Sequence, residues 1–234
     1  MKPINTLLTI IFISLLSSHS WAETMDDLVE RNGIYYQKFT DVPYNGKVTG
    51  EQQGSFKNGK RVGIWGGYYK NGQLESKGNF KNGKQEGAWI SYHEGGQLRL
   101  KGNYKNGKLE GAYASYYLNG QLEEKGNSKN GRKEGNWVSY HENGQLRAKE
   151  KYKNSKLEGI WVFYHENGQL KQKGSWKNGN QEGAWVGYHK NGQLWYRGDY
   201  NNGGKEGAWF GYKQDGTVWE GFTGTFKDGA KISD

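Results

Sequence analysis

The chain has no cysteine and only two prolines in 234 residues. No disulfide framework can form, and no cysteine is present for lipid attachment, metal binding or nucleophilic chemistry. Both prolines, Pro3 and Pro43, precede residue 44, so the rest of the chain is free of strand-breaking rings. Large aliphatic residues are scarce. A two-layer globular core needs more Leu, Ile and Val than this chain supplies, so stability must come from aromatic side chains spread along a thin structure. One long apolar run exists, Leu7 to Leu16. It follows Lys2 and precedes Ser20-Trp21-Ala22, the layout of a secretory signal peptide over residues 1–22, and it is too short to cross a bilayer comfortably. The expectation is an exported protein, periplasmic or secreted.

Glycine is abundant (38 residues), as are Tyr (17) and Trp (10). Seven aromatic residues recur every 24 positions without drift: Trp65, Trp89, Tyr113, Trp137, Trp161, Trp185 and Trp209. A fixed period of this size marks an array of copied units, not an enzyme built round one pocket. Turn dipeptides come twice per unit. One series runs through Asn71-Gly72, Gly95-Gly96 and Asn119-Gly120 to Asp215-Gly216, the other through Asn58-Gly59, Asn82-Gly83 and Asn106-Gly107 to Asn202-Gly203. Asn-Gly favours type I′ hairpins. The pattern predicts an all-β fold: an elongated, twisted, single-layer antiparallel meander of 24-residue, two-strand repeats. About sixteen strands at ~4.8 Å spacing would run roughly 75 Å.

Two-residue turns would fix the register. Trp89 would face Gly102, Ser91 would face Leu100, His93 would face Leu98, Tyr104 would face Leu109 and Gly102 would face Gly111. One face would carry Trp89, Ser91, His93, Leu98, Gly102, Tyr104 and Gly111; the other would carry Ile90, Tyr92, Arg99, Lys101, Asn103 and Glu110. The same register sets Trp65 against Gly78, Trp161 against Gly174 and Trp185 against Gly198. A strand glycine leaves backbone bare, and a ring across from it can cover it. The expectation is that each Trp lies over its register partner.

The motif G-x-W-x-x-Y-x-x-N-G-Q-L-x-x-x-G-x-Y-K-N-G-K-x-E resembles the bacterial variant of the MORN repeat. The resemblance spans about residues 33 to 228 and is clearest in 159–182 and 183–206. Gly33-Ile34-Tyr35-Tyr36 and Pro43-Tyr44-Asn45-Gly46 are similar to the usual opening of such arrays. The resemblance implies a single elongated sheet and an interaction role towards proteins or lipids. Many bacterial chains of this layout carry a YwqK-type antitoxin label. The organisation read from these features is a signal peptide at 1–22, a lead-in segment with a first partial repeat at 23–62, the repeat array at 63–218 and a C-terminal cap at 219–234.

Candidate chemistry is thin. His93, His141, His165 and His189 are periodic, but equivalents stand about 9–10 Å apart, too far to share a zinc ion with ~2 Å bonds; they read as polar residues beside turns. Glu86, Glu110, Glu134, Glu158, Glu182 and Glu206 form a ladder without a pocket, expected to pair with cross-strand lysines. Neither a catalytic residue, a cofactor site nor a metal site is expected. The aromatic row is the candidate binding or structural feature. Glu150, in place of a repeat glycine, and Ser155, in place of a turn glycine, mark a candidate irregular site. The functional expectation is a non-enzymatic protein-binding or scaffold module in the cell envelope that binds a protein partner or a second copy. The alternatives are an immunity or antitoxin-like partner of an exported effector and a cell-wall glycan binder. The net charge of +9 allows attraction to an anionic membrane surface, while interleaved glutamates and export argue against nucleic acid.

Overall fold

A computed structural model describes residues 23–234; the expected signal peptide lies outside these residues. The fold is the all-β meander read from the repeat. The sheet has 19 strands: eighteen from Gly46 to Ser233, paired antiparallel along the chain, and the short Glu23–Thr24 strand at one end. This exceeds sixteen because the lead-in and C-terminal segments also add strands and one strand is interrupted into Lys156–Leu157 and Gly159–Tyr164. No α-helix occurs among the described residues, only a 3-10 turn at Met25–Asp27.

A buried cluster lies near each end of the sheet. Glu23–Thr24 adds a short parallel strand against Val48 and Thr49. The separate hairpin Leu28–Arg31/Ile34–Gln37 is tied on by Tyr35 N–H donating to Gly59 O at 2.8 Å. Leu28, Val48, Phe56 and Trp65 form a buried cluster there. At the other end Trp185, Tyr196, Trp209 and Phe226 form a second one. Trp209 still pairs with Gly224, as the sequence implied, across a longer loop in which Phe222 packs on Trp209 with ring centroids 5.8 Å apart.

The two turn series differ, and this corrects the register. In the short series both turn residues adopt left-handed conformations, as at Asn82 (φ 52°) and Gly83 (φ 78°), the type I′ geometry expected. In the long series only the glycine does, as at Gly96 (φ 85°). There His93 N–H donates to Gln97 O and Gly96 N–H to His93 O, both at 2.8 Å. This is a three-residue loop closed by a glycine bulge, and it slips the ladder by one: Ser91 still faces Leu100, but Tyr92, not His93, faces Leu98. A one-residue slip exchanges faces. Accordingly Leu122 and Leu194, the counterparts of Leu98, line the face opposite the tryptophans, and Arg99 reaches back to donate from Nε to Ser91 Oγ at 3.3 Å.

A second irregularity sits in each Trp-bearing strand. Between Lys77↔Ile90 and Asn79↔Glu86 the Trp strand holds two extra residues. The bulge starts at Gly87, whose φ of +73° suits glycine. The same bulge sets Gly102 against Tyr113 instead of Gly111.

Candidate binding surfaces

The bulge decides where the indoles go. Each register pair expected for the aromatic row is present, including Trp65↔Gly78, Trp89↔Gly102, Trp161↔Gly174 and Trp185↔Gly198. The rings nevertheless do not lie on these glycines. They lean onto the preceding strand: Trp65 covers Gly54, Trp89 covers Gly78, Trp137 covers Gly126, Trp185 covers Gly174 and Trp209 covers Gly198, so tightly that a methyl group at any of these glycines would overlap the ring. Glycine-covering holds, but with the neighbour on the other side. Each indole N–H then donates to the carbonyl just after the covered glycine: Ser55, Asn79, Asn127, Ser175 and Asp199 accept at 3.0 to 3.3 Å. A buried indole keeps its donor satisfied this way.

Trp65, Trp137, Trp185 and Trp209 are buried, and Trp89, Tyr113 and Trp161 are half-buried. Cations close the outer side of three indoles: Arg61 over Trp65 at 4.4 Å, Lys133 over Trp137 at 4.1 Å and Lys205 over Trp209 at 4.6 Å. Burial lowers the Lys205 pKa. The aromatic row is thus the core of a one-sided sheet.

The opposite face is open. Two grooves of about 920 and 960 Å³ lie on it. The first is floored by Ala88, Ile90, Ala112, Ala114 and Val138 and edged by Tyr116 and Lys125. The second uses the corresponding positions three units on: Ile160, Ala184, Val186, Ala208 and Phe210, with Tyr188 and Arg197. Sequence reasoning placed Ile90, Tyr92 and Lys101 on this face and gave it no role. The missed signal is the small or apolar residue on either side of each Trp, at 88 and 90 and their repeats.

The histidines and glutamates hold neighbouring units together. His93, His141, His165 and His189 each approach a backbone carbonyl of the next unit (Tyr116, Tyr164, Tyr188 and Tyr212) through Nε2 at 2.9 to 3.0 Å. A carbonyl only accepts, so Nε2 carries the proton. Tyr69 and Tyr117 donate their hydroxyls in the same way to Tyr92 O and Tyr140 O. Glu86, Glu110, Glu134, Glu158, Glu182 and Glu206 accept the backbone N–H of the next unit's turn residue (Asn106, Asn130, Asn154, Asn178, Asn202 and Asp228) at 2.7 to 3.1 Å. This corrects the expected cross-strand lysine pairing: a left-handed Asn exposes its N–H at the turn, and a charge-assisted bond to it is the stronger use of a carboxylate.

At the irregular site Glu150 faces Trp137 in register, but its carboxylate serves Trp161. It accepts from Trp161 Nε1 at 3.2 Å and from Tyr152 Oη at 3.0 Å. Burial, the Glu150 charge and this bond together raise the Tyr152 pKa. Ser155 keeps the turn's left-handed backbone at φ 68°. Glu150 fills the place a covered glycine has elsewhere, so the site is a repaired copy of the repeat core. Six consecutive segments of the chain, 61–82, 85–106, 109–130, 133–154, 157–178 and 181–202, match the family described as MORN repeat variant. Together they contain the row from Trp65 to Trp185; Trp209, before the lengthened loop, lies beyond them. No curated protein matches the chain.

Proposed function

The chain belongs to the MORN repeat variant family, whose repeats are in general protein- or membrane-binding modules without enzymatic activity, and on that premise we propose that it is an exported, non-enzymatic module whose open face receives an extended segment of a partner protein in the cell envelope. The observation that carries this reading is the repeated groove. The tryptophan face is consumed by its own packing, while the other face offers the same small and apolar floor in two places. Repetition suits an elongated partner, because each unit adds contact area without a new site.

Export rests on the layout of residues 1–22 and is tested by the N-terminus of the protein recovered from envelope fractions: Glu23 is expected, and a cytoplasmic chain still beginning at Met1 would remove this part. The groove is tested by capture from envelope extract with the full chain and an Ala112→Arg/Ala184→Arg variant. Loss of the captured partner in that variant, with retention in Leu118→Arg at an exposed turn, is the expected result; unchanged capture by the groove variant would refute it.

The second reading, an immunity or antitoxin-like protein for an exported effector, would use the same face and differs in requiring a one-to-one complex with a neighbouring gene's product. Glycan binding through the aromatic row is disfavoured, because four of its seven rings are buried.

A further inference from the structure

The short-turn edge of the sheet carries a charge pattern independent of the groove. In five consecutive hairpins, from Lys57/Lys60 to Lys153/Lys156, both residues flanking the turn are cations and stand directly opposite each other in register. All ten are exposed, and none forms an ion pair among the described residues. Like charges directly opposite on adjacent strands destabilise a sheet. Successive tips are only about 9–10 Å apart, close to the screening length of ~8 Å at physiological salt, so repulsion also runs along the column. Glutamates Glu86, Glu110 and Glu134 offset part of it at the last three tips. The first turn instead has the neutral Asn45 Oδ1 as its acceptor, and Val62 stands at the glutamate's position for the second. The other edge shows no such bias: its turn residues run Lys70, Glu94, Leu118, Glu142, Glu166.

We infer that this edge is a docking track for a linear acidic polysaccharide. An anionic chain laid along the tips relieves repulsion that the fold otherwise leaves standing, and it needs no pocket. The exposed Asn beside each cation pair, from Asn58 to Asn154, offers an amide to sugar hydroxyls. A flat membrane fits less well. Sheets twist by roughly 20° per strand, so tips eight strands apart cannot face one plane, and none of the large exposed hydrophobic residues lies at these turns. Single-stranded nucleic acid calls for aromatic rings beside the cationic track, and these tips hold only Lys, Arg, Asn, Gly and Ser.

The test measures binding of the full chain to heparin as probe, with neutral dextran, single-stranded DNA and anionic phospholipid vesicles as comparators, over a series of salt concentrations. Two charge-matched variants are compared. One changes Lys57, Lys60, Lys81 and Lys84 to Gln on the edge; the other changes Lys101, Lys125, Lys149 and Lys173 to Gln on the groove face. The expected result is salt-sensitive heparin binding that weakens about tenfold or more in the edge variant, with a shallower salt dependence, and changes less than about twofold in the groove variant. The edge variant should melt no lower than the parent, since it relieves like-charge pairs. Equal losses in both variants, no binding to heparin, or DNA or vesicles bound as tightly as heparin would overturn the inference.

Discussion

The copies around Trp185 and Trp161 match the same repeat and are built differently. Trp185 is 3% exposed. It lies on Gly174, donates to Ser175 O, and is met edge-on by Trp176 and Tyr200 at 5.5 and 5.7 Å. Trp161 finds Glu150 where the glycine should be. Its indole N–H turns to the carboxylate, and its ring stacks on Phe163, with planes 3° apart. The strand around it is broken into Lys156–Leu157 and Gly159–Tyr164. Beyond the bulge that second piece joins the preceding strand through Ala148↔Phe163 and Lys149↔Val162, as Trp185's strand does through Gln172↔Gly187 and Lys173↔Val186, and Glu158 N–H still donates to Lys151 O at 2.8 Å across the break. The ladders are thus nearly alike, and one side chain beneath a ring decides whether the indole seals a glycine or is held by polar and stacking substitutes.

The largest expected difference is in the tryptophans themselves. Trp185→Ala should cost about 3–5 kcal/mol, as for a buried ring, and Trp161→Ala about 1–2 kcal/mol, because that ring is already half out of the core; denaturant titration of both compares them directly. Alkaline titration comes next. Burial, with a smaller contribution from Tyr200, pushes the Tyr196 phenol up to about 12. The folded pKa is raised above the unfolded value near 10, so this stability is fully present below about pH 10 and is lost as pH rises towards 12. Tyr196→Phe should flatten that alkaline limb, and an unchanged limb would show that other groups cause it. Restoring Glu150→Gly should let Trp161 settle as Trp185 does, so that Trp161→Ala in that background costs about 3 kcal/mol; an unchanged small cost would mean Glu150 is not what displaces the ring. The smallest effect is Ser155→Gly, which relieves a left-handed non-glycine residue and should stabilise by about 1 kcal/mol, read as a rise in the unfolding midpoint.

The meander, its period and the Trp–Gly register pairs were legible because hairpin turns and side-chain alternation are local. The direction in which the rings lean was not, because it depends on a bulge that breaks alternation. Its signal was present: a glycine two residues before each ring, from Gly63 to Gly207, is unnecessary to a plain strand, and all seven adopt left-handed φ. The long turns misled for a related reason. Asn-Gly occurs in both series, but the Gln after it closes a three-residue loop, and that slip moved the leucines onto the groove face. The partners of the histidine and glutamate ladders lie in the next unit, 20 to 23 residues on, where cross-strand reasoning within one hairpin does not reach.

Trp161 apart, each indole of the row seals the glycine of the strand before it. A double-mutant cycle tests it at Gly174, which has Trp161 as its register partner and Trp185 as its cover. Gly174→Val combined with Trp185→Ala should show a coupling of about 1–2 kcal/mol, and combined with Trp161→Ala a coupling near zero. Strong coupling to Trp161 with none to Trp185 would contradict the account.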